Sequence, residues 1–269
     1  MAKLKKLTGE NYFSPEMNMH YVGSSQFKAF MECEHSAYAE LTGALTETKT
    51  KALLMGGMLD AMFEGTLASF LVNNPEVANS RKPGELKVDY QQVQEIYNRL
   101  SRDAYFMEMM SGESQKIFTG EIEGVPVKIK VDSMHPDKIV DLKLMKDFKP
   151  IWNEELRCKQ PWQIAYGYDI QMAIYREIVR QNTGETLPCF IAAATKEKET
   201  ETGDLKTDFG VFKFLDADLD SALEYVKQNI VHIQEVKQGI VAPTRCDDCK
   251  YCRETKVLTG YSLFDAPDI

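Results

Sequence analysis

Hydrophobic residues recur along the chain first at helical spacing and then in alternation. After an extended lead-in over residues 11–23, Phe27, Phe30, Met31 and Tyr38 fall at helical intervals, with Ser24 or Ser25 placed to cap the helix. Cys33 lies inside that helix, where a lone cysteine most often serves as a small core residue. A second helix is predicted from about Lys51 through LLMGGMLDAMFEG, and the polar stretch 73–84, with Pro75 and Pro83, reads as a loop. A third, over about 89–110, turns Val93, Ile96, Tyr97, Leu100 and Tyr105 inward and stops at Ser111-Gly112. The period then drops to two. Strands are predicted over 115–119 and 125–134 around a Glu123-Gly124 turn, followed by KIVDLKLM past a Pro136-Asp137 turn. A helix over 161–182 follows, with Pro161 in its first turn, Gly184 past its end, and Ile164, Tyr168, Met172, Tyr175 and Val179 in step. CFIAAATK pairs with 209–215 across the ETETGD connection, and an amphipathic helix over 218–238 closes at Gly239. Helices, a small sheet, then helix, strands and helix predict a mixed α/β (α+β) chain built on one central sheet.

At 269 residues the length fits one large domain or two small ones, and 43% hydrophobic with 10% aromatic residues is enough to bury a core. The formal charge of −9 argues against a surface that coats polyanions, yet leaves room for a local basic groove. MAKLKKLTGE is basic but lacks the apolar centre of a secretion signal, and no run approaches the ~20 apolar residues of a membrane span. A cytoplasmic location without membrane attachment is expected. In that compartment six cysteines read as metal ligands or buried thiols.

Candidate chemistry gathers in VPVKIKVDSMHPDKIVDLK. Alternation puts Val127, Ile129 and Val131 on one face of the first strand, and Lys128, Lys130 and Asp132 on the other. In the second strand, Asp141 and Lys143 oppose Val140, Leu142 and Leu144. A simple hairpin register brings Asp132, Asp141 and Lys143 together at a sheet edge, where desolvated charges need something to hold, such as a divalent cation with oxygen ligands. Charged residues on the solvent face of a hairpin are also ordinary, so these residues alone leave both readings open. Asp60, on an otherwise apolar stretch of helix, is either an edge residue or a site residue. Gln171 shares a helical face with Tyr175 and needs a polar partner. KDFKPIWNEELRCKQPW either offers Lys146, Lys149 and Lys159 to a phosphate backbone or is a solvated loop with a packed Trp152. Cys246, Cys249 and Cys252 form C-x2-C-x2-C, a spacing for Zn²⁺ or an iron–sulfur cluster that lacks one ligand, with Cys33 the best fourth. Cys158 and Cys189 are expected to be buried thiols.

With these residues in order, the chain from about Ser24 to Cys252 resembles the PD-(D/E)XK nuclease superfamily. Within it, the chain is similar to phage-type RecE exonucleases (exodeoxyribonuclease VIII) and to iron–sulfur nucleases of the RecB family. Asp132 corresponds to the first acidic residue, Asp141-Leu142-Lys143 to D-x-K, and Gln171-Met-Ala-Ile-Tyr175 to the Q-h-x-x-Y helix. Cys33 and the three late cysteines correspond to a split cluster site. Asp60 stands where the family's helical G-x-x-x-H motif has histidine, the last cysteine gap is shorter than in some relatives, and Glu113 is out of register for the family's additional glutamate. The resemblance implies one restriction-endonuclease-like domain over 1–269, with a helical part at 24–111 and the cysteine cluster at 243–254. It implies a Mg²⁺- (or Mn²⁺-) dependent exodeoxyribonuclease acting on ends of linear, double-stranded DNA in recombination or end processing. Asp60, Asp132, Asp141 and the Leu142 carbonyl would hold the ion, and Lys143, Gln171 and Tyr175 would serve catalysis. Cys33, Cys246, Cys249 and Cys252 would bind a [4Fe–4S] cluster or zinc. A single-strand annealing protein of RecT type and a second copy of the chain are the implied partners. A catalytically inactive DNA-binding member and a zinc-stapled interaction module are the competing readings.

Overall fold

The computed structural model describes residues 6–46, 49–82, 84–154, 156–198, 202, 206–258 and 260. An N-terminal helical part holds α1 (Pro15–His20), α2 (Ser24–Glu32), α3 (Glu34–Leu41), α4 (Lys51–Phe63) and α5 (Leu67–Asn73), then α6 (Val88–Leu100) and α7 (Ala104–Met109). Strands β1 (Glu113–Ile122), β2 (Val125–Met134) and β3 (Ile139–Met145) follow, with a small hairpin of β4 (Ile151–Asn153) and β5 (Cys158–Gln160). The chain continues through α8 (Trp162–Ala165), α9 (Tyr168–Thr183), β6 (Cys189–Thr195), β7 (Phe209–Lys213), α10 (Asp216–Lys237) and α11 (Lys250–Glu254).

The central sheet runs β1-β2-β3-β6-β7, parallel between β3 and β6 and antiparallel elsewhere. It is the mixed α/β arrangement expected from the sequence. One face packs on α2, α3, α9 and α10 through Phe27, Phe30, Met172, Ile178, Val226 and Ile230. The other packs on α4, α6 and α7, where Met58, Leu59, Val93, Ile96 and Phe106 meet Val140, Leu142, Ala192 and Ala194. β3 therefore has helices on both faces and a paired strand on each side, which makes it the most enclosed place in the fold for a charged residue.

Several predicted helices are in fact pairs, each broken by a local cap. Residues 11–23 are not simply extended: Ser14 accepts a hydrogen bond from the Met17 N–H (3.3 Å) and Pro15 opens α1. Gly23, not Ser24 or Ser25, is the N-cap of α2. Cys33, with extended backbone, ends α2 and starts α3, so the predicted single helix turns a corner there. Asp103 caps α7 through the Phe106 N–H (2.9 Å), which divides the predicted 89–110 helix and leaves Tyr105 exposed. Gly167 (φ +63°) separates α8 from α9, and a Cβ there would stand 2.9 Å from the Lys28 side chain. Trp152 is half exposed, and Trp162 is the packed tryptophan, stacked on Phe148. Cys158 is exposed rather than buried, while Cys189 is buried as expected. Pro83, most of the ETETGD connection, and the tail beyond residue 260 lie outside the described residues.

Two buried lysines fasten the N-terminal segment to this frame. Lys237, at the end of α10, donates to the Tyr21 carbonyl (2.7 Å) and to Gln26 Oε1 (2.8 Å). Burial, then the nearby Lys128 charge, lowers its pKa to about 7. Unfolded, the same amine titrates near ~10.4. Between those values the unfolded chain binds one more proton than the folded one, so stability rises with pH. Lys128, drawn down to about 8 by burial, acts in the same direction. The melting temperature should therefore climb between about pH 7 and pH 9, and less steeply in Lys237→Met. Parallel pH–melting curves for the two proteins would refute the assignment to Lys237.

Candidate active site and cysteine centre

The β2–β3 ladder is short. Ser133 pairs with Val140 and Met134 with Ile139, and the strands part just beyond, at Asp132 and Asp141. The Asp132 carboxylate spans the opening: Oδ2 accepts the Leu142 N–H at 2.9 Å, and Oδ1 accepts from Gln115 Nε2 at 3.1 Å. The predicted convergence of Asp132, Asp141 and Lys143 thus occurs inside the sheet, where two interior strands separate, and not at an edge.

Asp141 has almost no exposure and is ion-paired with Lys143, its second neighbour on the same face of β3. Its other oxygen, Oδ1, accepts from Gln171 Nε2 at 2.7 Å. That bond answers the question posed by a glutamine on the apolar stripe of α9. One turn on, Tyr175 donates to the Lys130 carbonyl (3.0 Å) and ties α9 to β2. Asp60 enters from α4, on the opposite side of the sheet, and lines a small pocket with Gln115, Asp132 and Leu142. Asp60 thus lines the candidate site from α4.

The electrostatics follow from burial and crowding. Burial, with the Asp132 charge adding to it, pushes the Asp60 carboxyl well above the usual carboxylate range. Burial lifts Asp141 to about 7 against the pull of Lys143. Burial opposes the charge on Lys143, but Asp141 and then Asp132 outweigh it, and the ammonium is held protonated. Asp60 and Asp141, both pushed up, stand with Asp132 and the Leu142 backbone as an all-oxygen donor set around one spot. Asp141 Oδ2 has no aligned hydrogen bond besides its ion pair, and Gln115 Oε1 is buried without a partner. These residues fit a hard divalent cation.

The site lies in a groove of about 1090 Å³. Ser24 and Gln26 of α2 and Glu40 of α3 line one side, Gly57 of α4 and Asn73 of α5 the other, and Lys128, Lys130, Gln171 and Tyr175 contribute to its floor.

Gln115 is the site residue that sequence reasoning missed. Register places it opposite Asp132, but its backbone is left-handed (φ +53°), a strained conformation for a residue other than glycine, and the regular pairing lapses there. Alternation could not foretell that twist. Glu113, two residues earlier, turns to Lys116 instead (2.8 Å).

Away from the groove, Cys33 at the α2–α3 corner meets Cys246, Cys249 and Cys252, with the four sulfurs all within 4.8 Å of one another. Cys33 Sγ stands 3.6 Å from Cys252 and 3.8 Å from Cys249. The N–H groups of Cys249 and Cys252 point at the sulfurs of Cys246 (3.3 Å) and Cys249 (3.4 Å). Donors from Cys249 and then Asp248 draw the Cys246 thiol down to about 6, while burial pushes the Cys33 thiol up. The fourth ligand sought for C-x2-C-x2-C is in place, and the cluster can coordinate a metal ion.

Residues 23–255 match the family described as "PDDEXK-like domain of unknown function (DUF3799)". A crystal structure from Eubacterium rectale, of a protein provisionally described as an exonuclease, is 42% identical, with a TM-score of 0.88 over 96% of this chain and 97% of that one. A second solved structure, SSO0001, covers 85% of this chain and 91% of its own at 14% identity and a TM-score of 0.31, too low to bear on the fold. No curated protein matches the chain. Among the described residues no helix is long and apolar enough to cross a membrane. With its split β2–β3 ladder, its D-x-K strand and a family match running from residue 23 to residue 255, the chain belongs to the PDDEXK-like DUF3799 family.

Proposed function

We propose that the chain is a divalent-metal-dependent DNA nuclease, an exonuclease of RecE type that hydrolyses phosphodiesters from ends of linear DNA, folded as one domain over residues 1–269. The observation that carries this reading is the meeting of Asp60, Asp132, Asp141 and Lys143 on the groove floor. The E. rectale relative, described provisionally as an exonuclease, supports it. Asp60, Asp132, Asp141 and the Leu142 carbonyl would hold Mg²⁺ or Mn²⁺. Bound there, such an ion supplies Lewis acidity toward the scissile phosphate and neutralises charge built up in the transition state.

The remaining steps belong to the chain's own side chains. Gln171 fixes the Asp141 carboxylate and is a positioning residue. Lys143, kept protonated by its two aspartate neighbours, acts as a fixed cation for the phosphate and not as a proton acceptor. Tyr175 holds β2 against α9, and with it the spacing between Asp132 and the helix. A single-strand annealing protein of RecT type is the partner that this reading implies.

At the cysteine centre we propose zinc. A tetrahedral ion with Zn–S bonds of about 2.3 Å sets its sulfurs about 3.8 Å apart, which agrees with the 3.6 and 3.8 Å separations. A [4Fe–4S] cluster puts a different iron under each cysteine, so its sulfurs stand apart by an iron–iron edge and two outward bonds. The 3.6 and 3.8 Å separations support zinc over that wider spacing.

Incubating the protein with end-labelled linear duplex, with and without Mg²⁺, tests the nuclease reading: loss of end label only with the ion is expected, and an intact duplex refutes it. Asp60→Ala should raise the Mg²⁺ concentration for half-maximal cleavage by about tenfold or more, since one of three anionic ligands is gone. An unchanged titration would return Asp60 to a structural role.

A further inference from the structure

Beyond the carboxylates the groove reaches residues that the chemistry above does not use. Lys128 and Lys130 precede Asp132 along β2, and the turn leading into α1 brings Tyr12 and Phe13 over them. This end is built in two layers. The lower is fixed: Tyr12 is buried, its carbonyl accepts from the buried Lys128 ammonium, and that ammonium also donates to Asn18 Oδ1 (2.7 Å). Tyr12 supports Phe13 edge-on, with ring centroids 4.9 Å apart. The upper layer is open to solvent. Phe13 is 67% exposed although it lines the groove, and Lys130 Nζ lies 5.0 Å from its ring. Among the described residues Lys130 makes no ion pair.

We propose that Phe13 and Lys130 form a subsite for the nucleotide next to the reacting phosphate of a single DNA strand. The base stacks on the open face of Phe13, and Lys130 contacts that nucleotide's phosphate. This rests on the nuclease reading of Asp132, Asp141 and Lys143. Lone exposed apolar residues are common on protein surfaces. Phe13 differs because the buried Lys128 and Tyr12 lie beneath it inside the candidate catalytic groove, beside Lys130, a cation without an ion pair among the described residues. Lys130 and Asp132 are two residues apart on one strand, about 7 Å, so the phosphate at Lys130 is a neighbour of the reacting one. Stacking needs a base out of its pair. A groove of about 1090 Å³ has room for a few nucleotides of one strand. A duplex end would therefore feed one strand at a time.

The test uses the full chain with Ca²⁺ in place of Mg²⁺ and a short fluorescein-labelled oligothymidylate, single-stranded or annealed to oligodeoxyadenylate. Phe13→Ala should weaken single-strand binding by about tenfold, from the usual 1–3 kcal/mol of base–aromatic stacking. Phe13→Trp should restore it, and Lys130→Ala should lower the salt slope of log K by about 0.7. Wild-type affinity in Phe13→Ala overturns the subsite, and an equal loss for blunt duplex overturns its single-strand assignment. Hydrolysis of bis(p-nitrophenyl) phosphate with Mg²⁺ separates the two readings. Its retention in Phe13→Ala, alongside the binding loss, supports both. A wild type that binds through Phe13 yet hydrolyses neither this diester nor DNA overturns the nuclease reading and leaves the subsite supported.

Discussion

Asp132→Asn and Asp141→Asn should each lower Mg²⁺-dependent DNA degradation by at least about 10²–10³-fold, the scale on which single electrostatic contacts to a transition state are lost. Their effects on stability should differ. Asp132 crowds Asp60 and Asp141, and its charge adds to the burial that pushes both carboxyls up. Removing it relieves repulsion, while the asparagine oxygen can still accept the Leu142 N–H, so the metal-free melt should hold or rise. Asp141 is the buried partner of Lys143. Its neutralisation leaves an ammonium poorly compensated, and the melt should fall by the equivalent of about 1–3 kcal/mol. End-labelled duplex and a thermal melt in EDTA check the two halves separately. Near wild-type cleavage in either variant would remove that residue from the site.

The sequence was most legible where one residue's chemistry constrained its neighbours. Asp141 and Lys143 share a strand face by simple alternation, and Gln171 and Tyr175 share a helical one, so their grouping followed from period alone. Breaks within periodic stretches were harder to see. Cys33 and Asp103 interrupt helices without disturbing the hydrophobic pattern, because the second helix of each pair resumes the period at a new angle. Gln115 was hidden for a different reason. Its role depends on a left-handed backbone in mid-strand, and such strain is imposed by tertiary contacts and not by local preference. The sheet-edge placement failed because hairpin reasoning stops at β2 and β3, whereas β6 arrives from some 45 residues later to pair with the open side of β3.

Cys33→Ser should abolish stoichiometric metal at the cysteine centre and destabilise the whole chain. Cys33 and Cys252 are 219 residues apart, and a metal that joins them closes nearly the full length of the fold. A cross-link over a loop of that size removes about 5 kcal/mol of unfolded-chain entropy, which for a chain of this size corresponds to a drop in melting temperature on the order of 10 °C. The damage should reach the groove, because Cys33 forms the corner between α2 and α3, whose Ser24, Gln26 and Glu40 line it. Among the described residues Cys33 shares no hydrogen bond or ion pair with Asp60, Asp132, Asp141 or Lys143, so activity should fall in step with the folded fraction and return on cooling. Wild-type protein purified without oxygen should be colourless and carry one zinc per chain. Cobalt exchanged into the same site should give the visible bands of a tetrahedral thiolate ion, and Cys33→Ser should lose them. A brown protein with four irons per chain would overturn the zinc assignment and require the sulfurs to move apart. Full metal content and an unchanged melt in Cys33→Ser would instead place the fourth ligand elsewhere. His35, with Nδ1 3.6 Å from Cys252 Sγ, is then the residue to replace next.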